Sequence, residues 1–587
     1  MKFLTKRICA FFTAGCLATG LFSVPISANE TYESPLYPTP ESVSLLAADY
    51  NPAAPDWSEF DKLMEETDSF IPADEREMKI HQAEDLLMES AAIIPLLYSV
   101  RTWLQKENVE GIYNAPNSMP YLAYAEIPGT KLRANFGAEP ATLDPGLLQS
   151  SESTWTINQL FCGLYQYDES GQLIPDLADE DNPVDITEDG TCYTFHLKKG
   201  LKWSDGSPLT AEDFVYSWKR VADPSTGAPY SYIPEELISQ DGDEINVKAI
   251  DTDTIQLRLK APCSYFLTLM AFPVFYPVNR SAVEAADING NDPGAWVAEA
   301  GFVTNGPYVL DTWHYDEAMI LKKNPNYHKA ELVGPDEIDL MLSADSVAAY
   351  AAYSADNLDY LCMIPTNEVS AIKNRPDFHR MDMAGTYLLA FNVNSNFFYG
   401  KTVEQAVNMR KAFSLLIDRD FLNEDIIGKG QTLANAMVSP CLPDNHDGFF
   451  KTNTELYRYP YAEETGYFPV EQTDEGTSEA IKLLESAGYK FENGKLSDTT
   501  PMHLILNAPS TDQNRSVCEA IQQDLAEIGI DLEIYLDDPG TYYADVSSGH
   551  FTVAVCGWSA DYDDPSDMLE IYESNSLNNF CRLGYNE

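Results

Sequence analysis

Cations are scarce in this chain of 587 residues: 37 Lys and Arg stand against 92 Asp and Glu, a formal net charge of −55. No Lys/Arg-rich block follows Arg7, so the surface repels phosphate backbones and anionic lipid, which argues against a nucleic-acid partner. The eight histidines are scattered, with no H-E-x-x-H among them. The nearest approach to G-x-S-x-G is Gly557-Trp558-Ser559-Ala560-Asp561, which lacks the last glycine, so the usual hydrolase patterns are missing. Carboxylate pairs are too frequent in so acidic a chain for counting to decide about a glycosidase. No C-x-x-C occurs. Cys162, Cys192, Cys263, Cys362, Cys441, Cys518, Cys556 and Cys581 read as single buried thiols, or as one or two disulfides that the sequence does not pair. Beyond residue 24 no stretch of about 20 apolar residues exists to span a membrane. What is present is core material, 44% hydrophobic and 12% aromatic residues, enough for two or three folded domains.

The first residues carry an address. Lys2, Lys6 and Arg7 precede an apolar run from Ile8 to Val24, and Ile26-Ser27-Ala28 fits a small-residue cleavage site before Asn29. Residues 1–28 are therefore read as a secretory signal peptide, and the mature protein is expected outside the cytoplasm. A second reading takes Thr13-Ala14-Gly15-Cys16 as a poor lipobox with Cys16 lipidated. The apolar run continues past Cys16, which suits ordinary cleavage better.

Residues 29–55 are rich in Pro, Ser, Glu and Tyr without periodicity and read as a linker. Ile80, Ala83, Leu87 and Ala91 recur at three and four residues, which predicts a helix over 74–90, followed by a strand from Ile93 to Val100. Further on, Thr210 with Asp213 caps a helix, and another runs from Ser478 to Ala487. A strand over Met502–Asn507, a helix from Thr511 and a strand over Ile530–Leu536 after Gly529 form a parallel crossover unit. The fold class is α/β with mixed sheets.

The run from Tyr193 to Trp218, YTFHLKKGLKWSDGSPLTAEDFVYSW, resembles the signature of the oligopeptide-binding proteins of ATP-binding-cassette (ABC) importers. Leu143-Asp144-Pro145, Thr304-Asn305-Gly306-Pro307-Tyr308, Asn324-Pro325-Asn326-Tyr327, RKAFSLLIDR over Arg410–Arg419, and GWSADY over Gly557–Tyr562 resemble further blocks of that family, in its order. The resemblance implies a bilobed, periplasmic-binding-protein-like fold with an extra inserted domain. It also implies a receptor that captures oligopeptides in an interlobe cleft and delivers them to the membrane subunits of an ABC importer. A monomer without cofactor or metal is expected. The same fold binding a nickel chelate, haem or an oligosaccharide is the alternative, and a secreted hydrolase a lesser one.

Residues 56–127 resemble the family's extreme C-terminal segment yet stand at the front, and Gly584-Tyr585-Asn586-Glu587 falls where relatives run on into that segment. The order reads as circularly permuted, with Pro128-Gly129-Thr130 as the join. Fusion of one receptor's tail to a second, truncated receptor is the rival account. On the permuted reading, 56–100 and 385–587 form the C-terminal-type lobe, 101–161 and 280–384 the N-terminal-type lobe, and 162–279 the inserted subdomain.

A closed peptide site needs a carboxylate for the ligand's ammonium, because an unpaired buried charge costs several kcal/mol. The resemblance carries that role to Asp561 of the GWSADY motif, with Trp558 as an apolar pocket wall, Ser559 beside it, and Tyr230 placing a hydroxyl near the ligand backbone. Without its motif, the set Asp561, Asp563, Asp564 and Asp567 reads as a solvated acidic loop rather than a calcium loop. The sequence also departs from the family. No Lys or Arg lies between Arg515 and Arg582 to meet a ligand carboxylate, Pro539 stands where relatives have a pocket Trp, and Ser559 and Gly385 stand where some have a disulfide.

Overall fold

The run Ile93-Ile94-Pro95-Leu96-Leu97 is apolar on both faces, which suits a strand covered from both sides. It does become the inner strand of a large mixed sheet. The computed structural model describes residues 54–67, 71–115, 119–148, 150–263, 265–287, 292–444, 448–452, 455–459, 466–560, 562–576 and 578–584. The signal peptide, most of the linker and Asp561 lie outside the described residues.

In chain order the elements that matter here begin with helices α1 (Ser58–Thr67) and α2 (Ala73–Ser90). Strands β1 (Ile93–Gln105) and β2 (Lys131–Asn135) precede α3 (Ala211–Ala222). Next come β3 (Tyr308–His314), β4 (Ala318–Lys323), β5 (Glu337–Met341), β6 (Tyr360–Leu361) and β7 (Phe378–Phe391). Helices α4 (Val403–Leu416) and α5 (Asp474–Ser486) lead to β8 (His503–Pro509), α6 (Asp512–Ala526), β9 (Asp531–Asp537) and β10 (Val553–Ser559). The helix after Pro72, the helix ended by Gly488 and the β8–α6–β9 crossover lie within a few residues of their sequence limits. Gly529 closes that crossover at φ +85°, a conformation that favours glycine.

The chain divides into two units, one of residues 54–67, 71–100 and 382–584, the other of residues 101–381. In the first, strand order is β1-β7-β10-β8-β9, with β7 antiparallel to β10 and β8 parallel to both β9 and β10. Alternation along the strands fills both faces. On one face Ile94, Leu389, Phe391, Val555 and Leu506 pack with Met409 and Phe413 of α4, Leu484 of α5 and Ile521 of α6. On the other, Ile93, Leu388, Ala390, Ala554 and Cys556 pack with Phe60 of α1, Ile80 and Leu87 of α2, and Tyr572 and Leu583.

The front segment is thus part of this core, and its polar groups are bonded into it. Trp57 donates its indole N–H to the Tyr572 carbonyl at 2.9 Å, and Asp61 accepts from the Ser574 amide and hydroxyl at 2.9 and 2.7 Å. Arg76 of α2 and Asp564 form a buried two-pronged ion pair at 2.9 and 3.0 Å. The two arginines that bound the RKAFSLLIDR block are fully buried: Arg410 donates to the Ser90 carbonyl and Arg419 to that of Pro95.

In the second unit strand order is β3-β4-β5-β2-β6-β1, with β2 parallel to both β5 and β6. A separate antiparallel sheet joins Val247–Asp251, Thr254–Arg258, Cys192–His196 and Asp185–Ile186. The capping box expected for α3 is formed, the Asp213 carboxylate accepting the Thr210 amide at 2.8 Å. The eight cysteines named above are free thiols, seven of them buried.

Candidate ligand-binding site

Trp558 and Ser559 end strand β10, where they pair with Thr386 and Gly385 of β7. Adjacent strand residues point to opposite faces, so the structure separates these two side chains. The half-buried Trp558 lies on the α1/α2 face against the core and donates its indole N–H to Asp567 Oδ1 at 2.8 Å. That bond fixes the ring plane and gives the buried Asp567 a partner, a role the sequence did not show.

Ser559 lies on the α4–α6 face. A Cβ built on Gly385 would sit 2.8 Å from Ser559 Oγ and 2.9 Å from Ser99 Oγ, so the missing side chain lets two half-buried hydroxyls from β10 and β1 close over the β7 backbone. The register places Gly385 directly opposite Ser559, the geometry a cross-strand pair requires. Ser99, in the front segment, had no sequence signal linking it to this position.

The acidic run after the motif is not the solvated loop expected without the motif. Asp564 is buried and accepts from Arg76 and from the Ser566 hydroxyl at 2.6 Å. Burial would raise its carboxyl, but the guanidinium beside it prevails and holds it below the usual carboxylate range. Asp567 is buried as well. Among the described residues no group of three or more His, Cys, Asp or Glu could hold a metal ion.

Tyr230, in the second unit, is half-buried, its ring edge-on to Phe272 at 5.3 Å and tilted on Tyr232 at 6.0 Å. Most of the motif blocks of that unit serve its framework. Asp144 is wholly buried and accepts from both Arg220 Nη atoms at 3.1 and 2.6 Å, from Trp296 Nε1 at 2.7 Å and from the Gly146 amide at 2.9 Å. Asn305 donates to the Cys162 carbonyl, Asn324 to that of Gly306 and Asn326 to that of Ser204. These side chains tie loops together and are spent in doing so.

In this mixed α/β chain the long strand β1 enters the strand order of both units, and β10 carries the GWSADY motif at its end. Comparison with known proteins identifies the class, a binding protein for extracellular solutes. The family described as "Bacterial extracellular solute-binding proteins, family 5 Middle" matches residues 172–580, and the chain belongs to it. The oligopeptide-binding protein OppA of Bacillus subtilis is 28% identical over 77% of this chain and 79% of its own. The dipeptide-binding protein DppE of the same organism is 29% identical over the same shares. Among solved structures, the unliganded open form of the murein tripeptide-binding protein MppA matches with TM-score 0.63 and 25% identity over 77% of this chain and 83% of its own. A periplasmic oligopeptide-binding protein of Borrelia burgdorferi matches at 0.55 and 27%, covering 78% and 85%.

Proposed function

We propose that this protein is an extracytoplasmic receptor that captures oligopeptides and passes them to an ABC importer. The observation that carries the reading is the family match together with the GWSADY motif at the end of β10. Relatives named for oligopeptide and dipeptide binding support peptide over other solutes. The receptor acts as a monomer and returns its ligand intact, without catalysis. Among the described residues no helix is long and apolar enough to cross a membrane. Native mass spectrometry of protein purified from rich medium tests the reading: co-purified peptides are expected, and a protein that carries none and binds none from a casein digest overturns it.

Within that reading Asp561 pairs with the ligand's α-ammonium, the half-buried Trp558 ring forms an apolar wall on one face of β10 while Ser559 lies on the other, and Tyr230 offers its hydroxyl to the ligand backbone. Asp561→Asn is expected to weaken peptide binding by about 2–4 kcal/mol, the consequence of removing one partner of a desolvated charge pair. Calorimetry with a peptide recovered from the wild type reads this directly. Unchanged affinity overturns the assignment, and lost binding counts for it only where the melting temperature is kept.

The segment order is proposed to be circularly permuted. Support comes from residues 56–100, which supply a strand and two helices to the same unit as residues 382–584, and from Arg410 and Arg419, whose guanidinium groups meet carbonyls of that front segment. A gene with residues 56–127 moved behind Glu587 should yield protein with the same melting temperature and peptide affinity as the original. An insoluble or non-binding product would count against the permutation.

A further inference from the structure

His81 sits on α2 and is fully buried. Its ring is sandwiched between Phe450, with centroids 3.7 Å apart and planes at 11°, and Tyr457, at 4.4 Å and 4°, while Tyr459 meets it edge-on at 5.3 Å. Neither Nδ1 nor Nε2 has a hydrogen-bond partner. The imidazole is therefore packed as an apolar plate, and protonating it there would leave a buried charge without a hydrogen-bond partner. Around it, α2 and the chain near residue 450 are joined by polar contacts. Lys451 pairs with Glu84, whose other oxygen accepts the Val438 amide at 2.8 Å, and Asp85 accepts from the hydroxyls of Tyr457 and Tyr467.

We propose that His81 is the acid-sensitive element of a latch that holds residues 449–452 and 457–459 against α2 and lets them go when the imidazole takes up a proton. The charges facing the ring decide the direction. Lys451 repels an imidazolium, and burial already disfavours it; the carboxylate of Glu77, on the same helix, is 4.0 Å from Nε2, too far for a hydrogen bond. Burial first, and Lys451 second, push the imidazole down to about 3 in the closed form. In an opened latch the ring regains water and its ordinary value near 6.5.

The open form thus binds one more proton than the closed form between those two values. Closed-state stability is present above pH 6.5 and is lost as pH falls below it, the opening equilibrium rising about tenfold per pH unit. Glu84 acts in the opposite sense. Burial, only partly countered by Lys451, raises its carboxyl, so the closed form takes up that proton first and is favoured in acid. Acid-driven opening therefore isolates the histidine.

The test is hydrogen exchange of the full chain at pH 7, 6, 5 and 4.5, corrected for the intrinsic exchange rate, in wild type and in His81→Phe, which keeps the ring sandwich and removes the titration. Protection of amides in 449–452 and 457–459 should fall about tenfold per pH unit below pH 6 in wild type and stay level in the variant. An NMR titration of the wild-type His81 ring, with a midpoint well under 6.5 while the latch is closed, supports the same account without any mutation. Protection that is independent of pH down to 4.5 overturns the proposal. So do an equal loss in His81→Phe, a normal His81 midpoint in the closed form, and global unfolding that precedes local exchange.

Discussion

Replacing Arg76 with methionine is expected to cost the protein about 3–5 kcal/mol of stability, the usual consequence of leaving a buried ion-pair partner alone. Both side chains are nearly inaccessible, at 8% and 9% exposure, so solvent screening offers little relief. Arg76 also donates to the Thr67 carbonyl at 3.1 Å and to Ser566 Oγ at 3.1 Å, so the substitution leaves three acceptors short. The double variant Arg76→Met with Asp564→Leu should recover most of the loss, since an apolar pair of similar volume needs no compensating charge. Urea unfolding of the four proteins of the cycle measures this. A single-variant loss under about 1 kcal/mol would mean that the pair is no more than a surface contact. Because folding depresses the Asp564 carboxyl, its contribution is present above the ordinary carboxylate value and is lost as pH falls through the depressed one.

Asp144→Ala should be as severe, again about 3–5 kcal/mol, but in the second unit. The substitution strands the Arg220 guanidinium, 7% exposed, and removes the acceptor of the Trp296 indole N–H. Asp144→Asn separates the two causes: the amide oxygen still accepts from one donor, while the neutralising charge is lost. The Asn variant should therefore fall between wild type and Ala. Urea unfolding followed by circular dichroism measures the change, and an Asn variant as unstable as Ala would assign the whole effect to charge.

Much of the local structure was legible because it depends on neighbours in sequence. The apolar spacing of Ile80, Ala83 and Leu87, the Thr210–Asp213 box and the punctuation by Gly488 and Gly529 each act within a few residues. The site was legible only in outline. Trp558 and Ser559 look like one site in a six-residue motif, yet strand alternation sends them to opposite faces. The Asp564 carboxylate looked solvated because its partner Arg76 lies 488 residues away, beyond any local pattern. Asp144 was noticed as part of a motif, but its partners Arg220 and Trp296 come from two other segments, so only the fold reveals that it serves the framework. His81 gave no signal at all, since a histidine on a buried helix face is unremarkable until Phe450 and Tyr457 are seen on either side of it.

The position of β1 sets the timing of folding. This apolar strand is synthesised early, whereas its neighbour β7 begins only at residue 378 and, one strand further, β10 is made near the end. At about 5–20 residues per second, roughly 20–90 s pass between the completion of β1 and the start of β10. Through most of that interval the sheet of the first unit stays incomplete, since β1 gains β7 only from residue 378, with β8 and β10 later still, and pairings between such distant segments are slow to close even after synthesis ends. The chain therefore depends, more than one whose central strand is made alongside its partners, on whatever keeps an exposed strand from pairing with another molecule.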